Sequence, residues 1–206
     1  MKIFQISDLH IIANSEKGLN GLESIPFYLI QLTIIYAIHN SLPNKSKLMD
    51  ELITLRLKWD SIKYDSTTDY SLDEQRVEIF KLMHKLAFSL QLLQKNYLTD
   101  TEYQKLFKLE DRKLVQYSGV WHQVSAVWQF LHNNFREYLA AQLLSTMSIS
   151  EITSFITYPD CNKTVKPEWV NTISYLVAPL YHGDELLRWL AENAPNTLVK
   201  FEPDRI

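Results

Sequence analysis

Hydrophobic residues recur at three- and four-residue steps along most of this chain, which predicts a succession of helices. An apolar stretch from Ile25 to Ile38 predicts a buried helix that ends near His39, and Pro26 suits its first turn because proline lacks the N–H that would go unpaired there. Further helices are predicted at about 45–59, 71–94, 99–107, 133–146, from 148 onward, 167–181 and 184–193. Loops are predicted at 40–44, 61–70 and 160–166, and the tail after Pro195 is predicted to be irregular.

The pattern changes between Leu114 and Phe130, where β-branched and aromatic residues dominate. This composition predicts a short two-stranded hairpin, with Ser118-Gly119 as its turn. Two helices followed by a hairpin are typical of a winged helix.

The helix that follows has a pronounced apolar stripe. Phe135, Tyr138, Leu139 and Leu143 share one face with Gln142, so we expect that face to point into the core. Asn133 and Asn134 are predicted to cap this helix, with His132 just outside the cap and its imidazole turned away. Glu137 is predicted to lie in the first turn and to interact favourably with the helix dipole.

Composition supports a mainly α fold: a helical bundle, a winged-helix unit with a short β-hairpin, and a C-terminal helical domain. Of the 206 residues, 46% are hydrophobic and 22% are charged, and only 4 glycines are available for the tight turns that a β-rich fold needs. The predicted domains are an N-terminal strand and linker (1–24), a small helical domain (25–70), a winged-helix-like domain (71–132) and a C-terminal helical domain (133–206).

The chain's charge and its cysteine content narrow the expected environment. A net charge of −3 provides no overall basic excess to attract nucleic acid, so no nucleic-acid partner is expected, and the single Cys161 fits a reducing cytoplasm. The longest apolar stretch, 14 residues from Ile25 to Ile38, is shorter than the roughly 20 residues of a spanning helix, so no membrane association is expected.

One motif resembles a known family. In NACHT-type STAND signalling NTPases, the winged helix is followed by a sequence motif. Its positions are, in order, an aromatic residue, an apolar residue, His, two variable residues, Phe, a variable residue, Glu, Tyr, a variable residue and two small residues. The matching residues here are Phe130, Leu131, His132, Phe135, Glu137, Tyr138, Ala140 and Ala141. The run Pro26-Phe27-Tyr28-Leu29 resembles the motif after the family's nucleotide-binding core, and the likeness covers roughly residues 19–194.

The resemblance implies a regulatory arm without its catalytic core, because no Gly-x-x-x-x-Gly-Lys-Ser/Thr occurs in the sequence. The chain is therefore expected not to be an enzyme and to have no cofactor of its own, although intact relatives bind ATP and ADP. In the family, the residue matching His132 reaches the β-phosphate of ADP, and the residue matching Pro26 lies at the adenine. Both contacts would need an NTPase core, and the simpler readings are a hydrogen-bonded histidine and a proline at a helix start. The implied partner is that core or an oligomer of the parent assembly, in a signalling system that serves antiviral defence or another biological conflict.

Two alternatives come from other stretches. Asp8-x-His10 resembles the first metal-binding motif of calcineurin-type metallophosphoesterases, but the further acids and histidines of a two-metal site do not follow. A winged helix also suggests nucleic-acid binding. Its recognition stretch would be Thr101 to Lys113, whose three acids nearly offset its four basic residues, which predicts weak phosphate affinity. Trp121, Trp128, Trp169 and Trp189 are expected to pack in the core rather than to stack on bases.

Overall fold

The computed structural model describes residues 26–41, 45–64, 72–116, 118–159, 164–177 and 183–198. It is mainly helical with one small antiparallel sheet, which confirms the predicted fold class. The chain divides into two compact units, Met1–Leu55 and Arg56–Ile206. The predicted strand and linker at 1–24, with Asp8 and His10, lie outside the described residues, and the predicted domain boundaries stay predictions.

The first unit contains α1 (Pro26–His39) and the first part of α2 (Lys45–Tyr64). Helix α1 buries Tyr28, Leu32 and Ile35, but on other faces Ile30 and Ile38 are 59% and 58% exposed. The prediction of a buried helix is therefore wrong for those faces, because apolar character alone does not determine which faces are covered. Helix α2 continues to Tyr64, so residues 61–64 are helical rather than part of the predicted loop.

After the end of α2, the second unit contains the sheet and the helices next to it, six elements in chain order. They are α3 (Leu72–Leu92), β1 (Tyr97–Thr99), α4 (Asp100–Leu106), α5 (Leu109–Gln116), β2 (Trp121–Val124) and β3 (Val127–Phe130). The antiparallel sheet has the order β1-β3-β2. This order of helices and strands, with β1 paired to β3, the second strand of the hairpin, is the topology of a winged helix.

The predicted hairpin is present, but its turn was misplaced. The residues from Leu114 to Gln116 end α5, and Ser118-Gly119 joins that helix to β2, with Gly119 at a φ of 67° that suits glycine. The hairpin turn lies at Ser125-Ala126, where Ser125 has a φ of 57°.

Aromatic side chains fill the space between the sheet and α4. The rings of Tyr103 and Trp128 lie 4.4 Å apart, and Trp121 packs edge-on against Phe130 at 5.0 Å. These four side chains are buried, as is Trp169. The predicted core role is thus confirmed for Trp121, Trp128 and Trp169, whereas Trp189 is half-buried.

The rest of the unit is a helical layer. It consists of α6 (Asn133–Leu144), α7 (Ile149–Ile156), a 3₁₀ turn (Pro167–Trp169), α8 (Val170–Leu176), α9 (Gly183–Asn193) and α10 (Pro195–Leu198). The start of α7 is fixed by the predicted capping box of Ser148 and Glu151. Residues 195–198 are helical, so the prediction of an irregular tail is wrong for them.

Helix α6 is the centre of this layer and packs along both α3 and α8. Every residue from Phe135 to Ala141 is buried. The expected single stripe is therefore too narrow, because a helix with neighbours on several sides buries nearly its whole circumference.

Candidate functional site

His132 is the N-cap of α6, directly after the sheet. Its backbone is extended, with φ −153° and ψ 149°, and its Nδ1 accepts a hydrogen bond from the backbone N–H of Asn134 at 3.2 Å. The prediction that Asn133 and Asn134 provide the cap is therefore wrong, since both lie inside the helix. An imidazole nitrogen without a proton is an acceptor, so it can satisfy an N–H of the first turn as an Asn or Ser oxygen does.

The capping contact fixes the chemical form of the imidazole. Because Nδ1 accepts a hydrogen bond, the neutral ring has its proton on Nε2. His132 is half-buried, and this burial lowers the pKa of its imidazole. Any contact that His132 makes with an anion near neutral pH is thus expected to come from a neutral N–H donor.

Arg136 lies one turn after His132 and is only 9% exposed. Its Nη1 donates to the backbone oxygen of Lys95 at 2.9 Å and to the side-chain oxygen of Asn96. Burial lowers the pKa of Arg136, and the charge of neighbouring Glu137 acts in the opposite direction. Sequence reasoning missed this residue because it occupies a variable position of the motif. A charged residue in an otherwise buried helical run was the available signal.

Glu137 lies in the second turn of α6, not the first, so the expected dipole interaction does not explain its place. It is buried, and its Oε1 accepts a hydrogen bond from the Asn171 amide at 3.4 Å. The acid of the motif therefore connects α6 to α8 through a polar contact inside the helical layer.

Pro26, the second predicted site residue, is the first residue of α1. It belongs to the first compact unit, whereas His132 belongs to the second. The nucleotide contacts that the resemblance implies for these two residues stay predictions.

The chain segment that leads to His132 is uncharged. The sequence from Leu114 to Phe135, which includes the whole hairpin, contains no Asp, Glu, Lys or Arg. Tyr97, Gln129 and His122 form a row across the three strands, and paired residues share one face of a sheet. Tyr97 in this row is 50% exposed, and Leu131, which follows β3, is exposed as well. The described side chains on this face thus include an exposed aromatic and an exposed aliphatic residue.

Metal sites and membrane-spanning helices are two further possibilities for the described part of the chain. Its His, Cys, Asp and Glu side chains form no group of three or more that could hold a metal ion. None of its helices is both long enough and apolar enough to cross a membrane.

No protein-family model matches this chain, and no curated protein matches its sequence. The resemblance to NACHT-type NTPases therefore rests on the motif residues alone.

Proposed function

We propose that this chain is the non-catalytic regulatory arm of a NACHT-type, nucleotide-switched signalling NTPase, acting in the cytoplasm as part of a defence system. The observation that supports the proposal most directly is the place of His132. It lies at the junction where a winged-helix sheet passes into a buried helix, and it caps that helix. In the resemblance, the same junction presents a histidine to the β-phosphate of ADP.

In this proposal the arm holds an NTPase core closed while ADP is bound. The neutral imidazole of His132 donates its Nε2–H to a phosphate oxygen, a hydrogen bond strengthened by the charge of the acceptor. Replacing ADP by ATP in a sensing complex would favour release of the arm, because a ligand shifts a two-state equilibrium only by its difference in affinity for the two states. The arm itself performs no hydrolysis, since it has no phosphate-loop motif to position phosphates and Mg²⁺.

The uncharged segment that leads to His132 supports a protein partner. We expect Leu131 and the row of Tyr97, Gln129 and His122 to contact the NTPase core. A face that exposes Tyr97 and Leu131 and no charged residue of the hairpin loses little solvation of charged groups when it is covered.

The test starts with the neighbouring coding sequences, among which we expect a phosphate-loop NTPase, and continues with reconstitution of that NTPase with this chain. We expect the two purified proteins to migrate together in size-exclusion chromatography with ADP bound, and the arm alone to have no ATP turnover. Leu131→Asp should weaken the complex, whereas Val77→Asp, which places the same charge at an exposed position of α3, should not. The proposal fails if the proteins do not associate, or if the arm alone hydrolyses ATP and a point mutation within it abolishes turnover.

The winged-helix topology favours nucleic-acid binding as a second candidate function. Against it, the hairpin has no Lys or Arg, and α5 exposes the acidic Glu110 as well as the basic Lys113. Since phosphate contacts supply most non-specific affinity, we expect no saturable binding to duplex DNA in fluorescence anisotropy at low salt. Tight binding that Lys113→Glu abolishes would favour this second function.

A further inference from the structure

We propose that Arg136 is a positioning residue that closes a ring of contacts around His132 and so holds its imidazole in place. This role rests on the proposed function only in its consequence for a bound nucleotide, because the ring itself consists of contacts within this chain.

The ring begins at the connector between α3 and β1. Asn96 directly precedes β1, whose first residue, Tyr97, pairs with Gln129 of β3. Strand β3 ends at Phe130, two residues before His132. The hydrogen bonds between β1 and β3 therefore tie the α3–β1 connector to the segment that precedes His132.

Arg136 completes the ring from the other side. One helical turn after His132, its guanidinium donates to Lys95 and Asn96 in the same connector. Because Arg136 is buried, its donors cannot exchange these partners for bulk water without moving the helix. His132 is thus held by the sheet before it and by the guanidinium after it, which is the kind of support that keeps a binding residue in one geometry.

The backbone N–H of Asn134 reports on this support, because it donates to Nδ1 of His132. Asn96→Ala removes one acceptor of Arg136 at an exposed position, so the chain should stay folded. We expect hydrogen exchange of the Asn134 amide, measured by NMR on the full chain, to become roughly two- to tenfold faster, the factor for one lost hydrogen bond. The ¹⁵N shifts of the imidazole should show loss of the single Nε2–H tautomer. Arg136→Met should have the larger effect, and Asn96→Asp should restore wild-type exchange because a carboxylate also accepts from a guanidinium.

Asn171→Ala is the matched control, since it removes the amide that donates to Glu137 on the same helix but outside the ring. It should leave exchange at Asn134 unchanged. The proposal is overturned if Asn96→Ala leaves both exchange and tautomer unchanged, or if Asn171→Ala accelerates exchange to the same extent. These outcomes decide the matter even if Arg136→Met fails to fold.

A second measurement separates this proposal from the proposed function. In a reconstituted pair with the NTPase core, Asn96→Ala should release ADP faster by a similar factor. If exchange at Asn134 becomes faster but ADP release does not, the positioning role of Arg136 is supported and the nucleotide role of His132 is wrong.

Discussion

The indole N–H of Trp128 donates a hydrogen bond to the carboxylate of Asp100 at 3.0 Å, which joins β3 to the first turn of α4. Trp128 is only 9% exposed, so its donor depends on this one acceptor rather than on solvent. The second oxygen of Asp100 accepts from Gln104 on the exposed side of α4.

Asp100→Ala is expected to destabilise the chain by about 1–3 kcal/mol, because it leaves the buried indole donor without a partner. Asp100→Asn should cost less, since an amide oxygen can still accept. Urea unfolding followed by tryptophan fluorescence measures both. Gln104→Ala, which removes only the exposed contact, is the control and should change stability by less than about 0.5 kcal/mol. A loss for Gln104→Ala equal to that for Asp100→Ala would show that the indole contact is not the source of the effect.

The stability of the fold should depend on pH through His84. Burial lowers the pKa of this imidazole from its ordinary value of 6.5 to about 4. The unfolded chain therefore binds a proton between these pH values that the folded chain does not. The free energy of unfolding is therefore expected to be highest above pH 6.5 and to fall by roughly 2–3 kcal/mol as the pH approaches 4.

Urea midpoints measured between pH 7.5 and 4.5 test this expectation. His84→Gln should flatten most of the dependence. The smaller remaining part comes from His122 and His132, whose pKa values burial also lowers, and near pH 4.5 from Glu102 and Glu151, whose pKa values are lowered by hydrogen bonds. Lys85→Gln, on the exposed side of the same helix, should keep the wild-type slope. An unchanged slope in His84→Gln would contradict the assignment.

Some elements followed from the sequence because their signals are local. The Ser148-Glu151 capping box and the start of α1 at Pro26 depend on a few adjacent residues, and both are present. Strand β1 has only three residues, too few to show an alternating pattern, and it forms because β3 supplies its hydrogen bonds. The hairpin turn was misplaced because Ser118-Gly119 is a stronger turn signal than Ser125-Ala126, whose strained backbone is set by the strand pairing.

The candidate site was found only in part, for a related reason. The motif identified His132, since residue type and spacing carried the resemblance. The capping role of His132 and the contacts of Arg136 could not be predicted in this way. Whether His132 or Asn133 caps α6 depends on where β3 ends, and the role of Arg136 depends on a connector 40 residues away in sequence.

Truncation of Tyr138 is expected to be costly for the stability of the fold. Its ring is buried and meets Tyr175 of α8 edge-on at 5.6 Å. Tyr138→Ala should destabilise by about 3–5 kcal/mol, the range for removing a core aromatic. Tyr138→Phe keeps the ring and loses only the hydroxyl that accepts from Gln142, so it should cost far less. Thermal or urea unfolding of the pair measures the difference, and equal losses for both variants would place the main contribution in the hydroxyl rather than in packing.

His132 should have two separable roles, and two substitutions distinguish them. His132→Ala removes the N-cap of α6 and should cost about 1 kcal/mol of stability. His132→Asn supplies another good capping side chain, so its stability should stay within about 0.5 kcal/mol of wild type. If the imidazole also donates to a phosphate, both variants should weaken ADP retention in the reconstituted pair by roughly 1.5–3 kcal/mol, the range for a hydrogen bond to a charged group. Urea unfolding of the arm alone and ADP dissociation from the pair measure the two roles independently. Full ADP retention by His132→Ala, which has no side-chain donor, would show that the histidine serves only as a cap.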